Sequence, residues 1–597
     1  MESPLPLFNS LGVDLGSSKT IYSKISLLKN NFKEKILKKV PSYITYSNNN
    51  VEVGENSKNL ILQKIDSSYS NLSRIFPRMK AKIFESEKDF SINKKENLNP
   101  EKTISDFLKK LNSTLINEQM DSVTFSVPDF NTQVQKETLM RILLNIGMKK
   151  IAIINESSAI TIYYGYKKYS ELFIRENPVE TPNNYVEKYV LFIDGGNAKI
   201  SFIISKFTFL SFNVLNVVSL PTLGGRNFDL KLEEYVIDKF RGENKLKVFD
   251  YTNEMKFKLL EEIKNKREKL SSVEEVEIKV NKFYNNLDLK VKVNRNIFEK
   301  CISELIDLYK ESLKSLKEIP MRTGEKDEDG NNLFIKFSNL NVHKIEICGE
   351  LINTPILKKI TESILEIKVE KNLNPNDYIP FGNALMGLFF NKKFPKSYFE
   401  NFFHFNYYRI CYKYDSNLKE SVTFINRGPI INWKRIIKLP EANDIKMIFE
   451  YAENELNIEG KIENREIMVY NIKCNDNQKQ KFIRIFLRHD QKLVSECLID
   501  EENKKLNANI SFEEFGGNVY WREIINRING KSNGLEKLIL EIYDEVAKGN
   551  IDVQKYSSFF QKLKNYKNIH KNNSPEENQI FKNQIEKEWE QIKKECM

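Results

Sequence analysis

The sequence predicts an α/β fold made of two similar halves, followed by an antiparallel β region and a short helical tail. Three observations carry that reading. A strand–turn–strand motif occurs twice, as Leu11-Gly12-Val13-Asp14-Leu15-Gly16-Ser17-Ser18 and as Leu191-Phe192-Ile193-Asp194-Gly195-Gly196-Asn197. Strand-like and helix-like segments alternate from the first motif to about residue 390, as they do in α/β proteins. Beyond Lys393 the texture changes to short β-branched or aromatic runs separated by Asn, Asp, Glu and Gly.

In each copy of the motif an apolar run ends in Asp-x-Gly, turns through small residues and returns as a second run, Ile21 to Leu27 or Ile200 to Phe207. Glycine lets the backbone approach phosphate oxygens, turn N–H groups donate to them, and the aspartate suits a hydrated Mg²⁺. One such turn alone is far more often a plain tight turn. A pair, one from each half, suits a clamp around a nucleotide.

The remaining elements follow in order. Val123 to Val127 reads as a strand ending at Pro128, with a helix from about Gln133 to Asn145 after it. Ile151 to Ile154 is a further strand, and a helix begins after Glu156 and runs over Ser157 to Tyr166. Asn253 to Leu270 and Phe298 to Lys317 read as long charged helices, and Ile345 to Cys348 as a short buried strand. Past Lys393 the strands are Tyr408–Tyr414, Lys446–Tyr451, Glu466–Ile472, Lys481–Leu487 and Lys492–Ile499. In the tail, Leu535, Leu538, Ile539, Ile542 and Val546 share one helical face, with Gly549 placed to end it. Ser574-Pro575-Glu576-Glu577 combines an N-cap, a first-turn proline and a capping-box acid, and starts a last helix towards Glu595.

At 597 residues the chain exceeds what one core supports, so several domains are expected. No window reaches the ~18 consecutive apolar residues of a membrane span, and neither end reads as a targeting signal, so the expectation is a cytoplasmic protein without a membrane partner. Six scattered cysteines fit reduced structural thiols, and four well-separated histidines leave little material for a zinc site or a Ser/His/Asp triad. The net charge of +11 is spread along the chain, which fits solubility and gives no reason to expect nucleic acid.

The order of motifs resembles the heat-shock protein 70 superfamily, which shares its ATPase fold with actin and sugar kinases. Gly12 to Ser18 is similar to the first phosphate motif, Ile154-Asn155-Glu156 with its helix to the first connecting motif, and Asp194 to Asn197 to the second phosphate motif. Thr222-Leu223-Gly224-Gly225-Arg226-Asn227-Phe228-Asp229 is the most specific single match. Ile345 to Pro355 lies at the adenosine motif, and Asn374-Pro375 through Gly382-Asn383-Ala384 at the second connecting motif. The resemblance implies an actin-like, two-lobed ATPase domain over 1–390, a linker over 391–405, an antiparallel β-sandwich over 406–515 and a C-terminal α-helical domain over 516–597. Val127-Pro128-Asp129-Phe130-Asn131-Thr132, the Gly-Gly-Arg turn and Ile345-Glu346-Ile347 are most similar to the heat-shock protein 110 branch. Members of that branch bind ATP, act mainly as nucleotide exchange factors and hold unfolded polypeptides.

Under this resemblance Asp14, Glu156 and Asp194 are the retained carboxylates that hold Mg²⁺ and position water, with Asp14 and Asp194 as the metal pair acting partly through water. ATP or ADP is implied at Gly16, Ser17, Ser18, Gly196, Asn197, Gly224, Gly225, Arg267, Ser271 and Gly349, with Lys264 nearby. The departures concern chemistry. Ser73, beside Arg74, takes the position of a lysine that steadies the γ-phosphate, a contact worth several kcal/mol in the transition state. Lys199 and Ser201 replace a threonine and an acid in the second hairpin; Lys199 reads either as a point charge on phosphate or as a surface lysine. Glu268 and Asn353 stand where two arginines hold the base, and Glu350 where a second glycine is usual.

Three functions follow from the resemblance. The leading one is a co-chaperone that binds Mg-nucleotide with little or no hydrolysis and promotes ADP release from a cytosolic heat-shock 70 chaperone, with unfolded polypeptide as a second partner. The others are an ATP-hydrolysing chaperone and a nucleotide-free pseudo-ATPase with a ribosome-associated or structural role.

Overall fold

The computed structural model describes residues 8–28, 31–47, 50–64, 67–69, 100–115, 120–173, 188–208, 212–221, 223–326 and 332–389. Beyond these it describes 402–406, 410–414, 417–425, 428–430, 434–440, 442, 444–451, 466–474, 481–487, 493–499, 508–514, 559 and 583–592.

The duplicated motif is the local sign of a duplicated sheet. In the first lobe, strand Phe8–Leu15 pairs antiparallel with Lys19–Leu28, which pairs antiparallel with Asn31–Pro41. On its other side it pairs parallel with Ser122–Val127, and that strand with Ile151–Asn155. The second lobe repeats the order around Lys188–Gly195, which is antiparallel to Ile200–Phe207 and parallel to Val342–Cys348. Phe212–Leu220 and Val369–Glu370 flank these three and complete the order found in the first lobe, and beyond Phe212–Leu220 the sheet continues through Phe402–Asn406 to Gly428–Ile430. Central strands of such sheets are covered on both faces, so they read as buried runs and not as alternation. Ser122–Val127 and Ile200–Phe207 are buried at every position.

Two helices tie the lobes together. Glu156–Phe173 and Tyr378–Phe389 cross where Gly382 lies against the backbone of Ala159, so close that a Cβ on Gly382 would overlap the Ala159 carbonyl. Gly12 makes the same kind of approach to the second helix, against Pro380 and Ala384. The buried amide of Asn383 donates to the Val13 carbonyl at 2.8 Å and to the Ser126 hydroxyl at 2.9 Å, fixing that helix to two strands of the first lobe. Phe192, Phe207, Tyr163, Tyr164, Tyr378 and Phe381 fill the core between them.

The expected helices over Gln133–Asn145 and Asn253–Leu270 are present at those bounds. Thr132 caps the first with a full capping box through Gln135, which gives the Val127–Thr132 segment a structural task. Phe298 to Lys317 is not one helix. Arg295–Cys301 and Ser303–Glu318 are separated at Ile302, which leaves helical geometry and buries its side chain completely in the second-lobe core. Tertiary burial there outweighs an unbroken periodicity.

Beyond residue 400 the described strands form a five-stranded antiparallel sheet, Asn417–Ile425, Ile410–Tyr414, Asp444–Tyr451, Glu466–Cys474 and Ala508–Glu514 in spatial order. A three-stranded antiparallel sheet is made of Lys434–Lys438, Phe482–Leu487 and Leu493–Ile499. Phe402–Asn406, which begins inside the stretch read as linker, pairs parallel with Phe212–Leu220 of the second lobe, Phe212 opposite Phe402. In the tail, residues 583–592 are helical and bury Ile585, Trp589 and Ile592, with Trp589 stacked on Phe559. The expected helix over 535–546 and its Gly549 stop, together with the Ser574-Pro575 cap, lie outside the described residues. No described helix is long and apolar enough to cross a membrane.

Candidate functional site

The two hairpin turns face each other across a cleft of about 480 Å³ between the lobes, a size that suits a small-molecule ligand. Their tips meet where the Asn197 amide donates to the Ser17 hydroxyl at 3.4 Å. In the first turn Ser42 braces the backbone, donating through its hydroxyl to the Gly16 carbonyl at 2.8 Å. In the second, the Gly196 N–H closes on the Lys199 carbonyl at 2.9 Å.

Of the residues implied at the nucleotide, Gly16, Ser17, Ser18, Gly196, Asn197, Gly225, Arg267 and Gly349 line this cleft, together with Asp14, Glu156 and Asp194. Gly224 and Ser271 are not among the lining residues. Gly224 is spent on packing: it precedes the helix Gly225–Glu243, and a Cβ there would fall within 2.5 Å of the Asn197 carbonyl oxygen. The first N–H groups of that helix are taken by the second hairpin, Gly225 by the Gly196 carbonyl and Arg226 by that of Asn197, both at 3.0 Å. Ser271 caps the C-terminal end of Asn253–Leu270. Gly349 has φ +76° and lies on the Gly195 backbone, a place only glycine fills.

One face of the helix Asn253–Leu270 shapes the side of the cleft where the resemblance implies the base. Leu259, Ile263, Arg267 and Leu270 form its buried stripe, so Arg267 enters the core and pairs with Asp229, Nε to Oδ1 at 2.6 Å. Lys264 and Glu268, one turn apart, face the cleft, and Lys264 Nζ donates to the Ser18 hydroxyl at 2.6 Å. Glu350 also lines the cleft and reaches over its mouth, accepting from Lys19 at 3.2 Å and from Asn376 at 2.7 Å. Asn353 is not among the lining residues. A further lobe-to-lobe contact has Glu261 accepting from Tyr43 at 2.7 Å and pairing with Lys58 at 2.6 Å.

The feature sequence reasoning missed is the place of Lys199. It is 7% exposed, which removes the surface reading. Its ammonium lies 2.6 Å from Asp194 and 2.8 Å from Glu156, and donates to the Ser201 hydroxyl at 3.1 Å. Asp194 and Ser201 accept hydrogen bonds from it, and Glu156 is held by charge at ion-pair distance. Burial alone would pull the amine down, but the two carboxylates hold it above the ordinary lysine range. The signal was present in the sequence, since Asp194 and Lys199 flank one tight turn. What the sequence did not show was that Glu156, from the crossing helix, closes on the same point. Asn131 was missed as well: its side chain lines the cleft, is buried, and has its amide nitrogen unpartnered.

Asp14 stands beside this cluster. Burial, then the charges of Glu156 and Asp194, push its carboxyl up to about 8. A carboxyl raised in the folded state gives stability that is complete below its unfolded value of 3.8 and is lost as pH rises through 8. Asp14→Asn removes that titration. Its stability relative to wild type should therefore climb between those pH values by on the order of 1–3 kcal/mol, cleft water screening the full effect. Urea midpoints across the range check this, and a pH-independent difference would count against it.

A duplicated sheet with one turn from each half facing a shared cleft defines the class of two-lobed, actin-like ATPase folds. The Hsp70 protein family profile matches residues 10–396, and the chain belongs to that family. It is 25% identical over 280 residues to heat shock 70 kDa protein 4L of Homo sapiens, covering 47% of this chain and 30% of that protein. It is 27% identical over 296 residues to the 97 kDa heat shock protein of Strongylocentrotus purpuratus, covering 49% and 30%. Against the chaperone protein DnaK of Mycoplasmopsis agalactiae it is 22% identical over 387 residues, 63% of this chain and 58% of that one. The chain thus spans less than two thirds of the length of these relatives, and among them the large heat-shock proteins agree with a divergent member similar to the heat-shock protein 110 branch.

Family membership implies ATP or ADP with Mg²⁺. The nucleotide fits: the cleft has the size, two glycine turns, the lysines Lys19 and Lys264 and a buried unpartnered donor on Asn131. The metal does not, because Asp194 is already paired with a buried ammonium, and among the described residues no group of three acidic, histidine or cysteine side chains is arranged to hold a metal ion.

Proposed function

We propose that this protein is a co-chaperone of the heat-shock protein 110 type: it binds ATP or ADP with little or no hydrolysis and promotes ADP release from an ordinary cytosolic heat-shock 70 chaperone. The observation that carries the reading is the Lys199–Asp194–Glu156 cluster. The two carboxylates that would organise water and metal for hydrolysis face an internal cation instead, so the cleft can hold a nucleotide without the arrangement that cleaves it. Ser73 supports the same conclusion from sequence and lies outside the described residues. In this reading residues 1–390 form the docking and nucleotide unit, 391–405 the linker, and the regions 406–515 and 516–597 hold unfolded polypeptide.

The test is ADP release from a heat-shock 70 chaperone preloaded with a fluorescent ADP, with and without this protein, beside single-turnover ATP hydrolysis by the protein alone. The expected results are release faster by about tenfold or more, a change of 1.4 kcal/mol in barrier, and no measurable hydrolysis. Unchanged release would sink the exchange role, and turnover at a rate ordinary for the family would sink the non-hydrolytic one.

A nucleotide-free pseudo-ATPase is the second reading. It is favoured by the contacts of Lys19 with Glu350 and of Tyr43 and Lys58 with Glu261, which join the lobes through the protein's own side chains. Failure of ADP to raise the melting temperature of the purified protein would support it.

A further inference from the structure

We propose that the Lys199 ammonium is a built-in substitute for the divalent cation, so that this cleft takes a nucleoside di- or triphosphate without Mg²⁺. The nucleotide half of this inference rests on the proposed function; the cation half stands on geometry alone.

Three acidic side chains, Asp14, Glu156 and Asp194, line the cleft, and the charges of the last two act on the first. Uncompensated, they would repel one another and any phosphate brought near. A divalent cation relieves that repulsion by binding carboxylates and phosphate together. Here the relief is covalently attached. Lys199 leaves the turn of the second hairpin, lies at 2.6 and 2.8 Å from two of the acids and is nearly closed off from solvent. A divalent ion could reach Asp194 only by displacing a buried ammonium that is paired with two carboxylates, leaving that charge without a partner, and the cost of that opposes the exchange. Held between the two acids, Lys199 spends its charge on them, and phosphate contact is left to other groups. That task falls to the turn N–H groups and to Lys19 and Lys264, whose partners are the cleft-lining Glu350 and the Ser18 hydroxyl. Phosphate oxygens can compete for both cations.

The experiment uses the full chain. Binding of Mn²⁺ alone is followed by electron paramagnetic resonance, and ADP affinity is measured by calorimetry in EDTA and in excess Mg²⁺, for wild type and for Lys199→Thr. Wild type should bind no Mn²⁺ tightly and should bind ADP equally well in both buffers. Lys199→Thr should take up one Mn²⁺ and make ADP binding depend on Mg²⁺ by about tenfold or more. Tight Mn²⁺ binding by wild type, or an ADP affinity that Mg²⁺ improves tenfold, overturns the proposal, as does a folded Lys199→Thr that gains neither property. If Lys199→Thr does not fold, Lys199→Gln, close to lysine in length and neutral, takes its place under the same criteria. ADP binding in neither buffer would defeat the nucleotide reading alone, because the Mn²⁺ measurements on wild type and variant still decide whether Lys199 holds the cation site.

Discussion

Lys199→Met is expected to destabilise the folded protein by about 3–5 kcal/mol, the usual cost of removing one partner from a buried ion pair. Methionine keeps most of the side chain's length and volume, so the loss isolates the charge. It leaves Asp194 and Glu156, 8% and 10% exposed at their side chains, facing each other and Asp14 with no cation among them. The triple variant Lys199→Met, Asp194→Asn, Glu156→Gln should recover most of the loss, because both uncompensated charges leave together. Urea unfolding at neutral pH measures both. A loss under about 1 kcal/mol for the single variant, the range of an exposed pair, would mean that the ammonium is not what offsets these acids. Failure of the triple variant to recover would mean that packing and not charge is responsible.

Gly382→Ala should cost about 3 kcal/mol or more, at or above the top of the range for overpacking a core. One methyl group is enough because the obstacle is backbone: the new Cβ would overlap the carbonyl, carbon and Cα of Ala159 on the other crossing helix, and no rotamer change moves those atoms. Gly12→Ala presses on the same joint from the first hairpin, against Pro380 and Ala384. The control is Gly242→Ala, in the helix Gly225–Glu243, where a Cβ meets nothing within 4 Å. It should be neutral or stabilise by about 0.5–1 kcal/mol through helix propensity. Comparable melting temperatures for Gly382→Ala and wild type would show that the two helices can separate freely. Because the helices connect the lobes, this variant is also expected to loosen the cleft and weaken nucleotide more than the stability loss alone accounts for.

Much of the site was legible from sequence because its parts are local. An Asp-x-Gly turn after an apolar run needs only neighbouring residues to form, and both copies became antiparallel hairpins with their aspartates at the cleft. The bounds of Gln133–Asn145 and Asn253–Leu270 were equally local. Harder to read were elements whose signals are set by distant partners. The antiparallel hairpin of Glu275–Tyr284 and Leu287–Asn294 was not anticipated, although its inner face alternates, because a flank of charged residues hides so short a pattern. The helix break at Ile302 likewise has no local breaker and follows from what surrounds it.

The sequence by itself determined that there are two halves, that each carries an acid–glycine turn, and that the chemistry around those turns departs from the family. Those are statements about residue types at fixed short spacings, and short spacings survive into any fold. Only the tertiary structure decided what the departures do. Lys199 could lie on the surface, touch phosphate or pair with an acid for all its spacing to Asp194 reveals. Glu156, brought from 43 residues upstream by the crossing helix, settles the choice, because a buried ammonium needs compensating acceptors and that is where two carboxylates converge. In the same way Arg267 reads as a ribose or base contact from its motif, yet at the cleft wall its guanidinium is turned onto Asp229, while Lys264, Asn265 and Glu268 of the same helix line the cleft beside it.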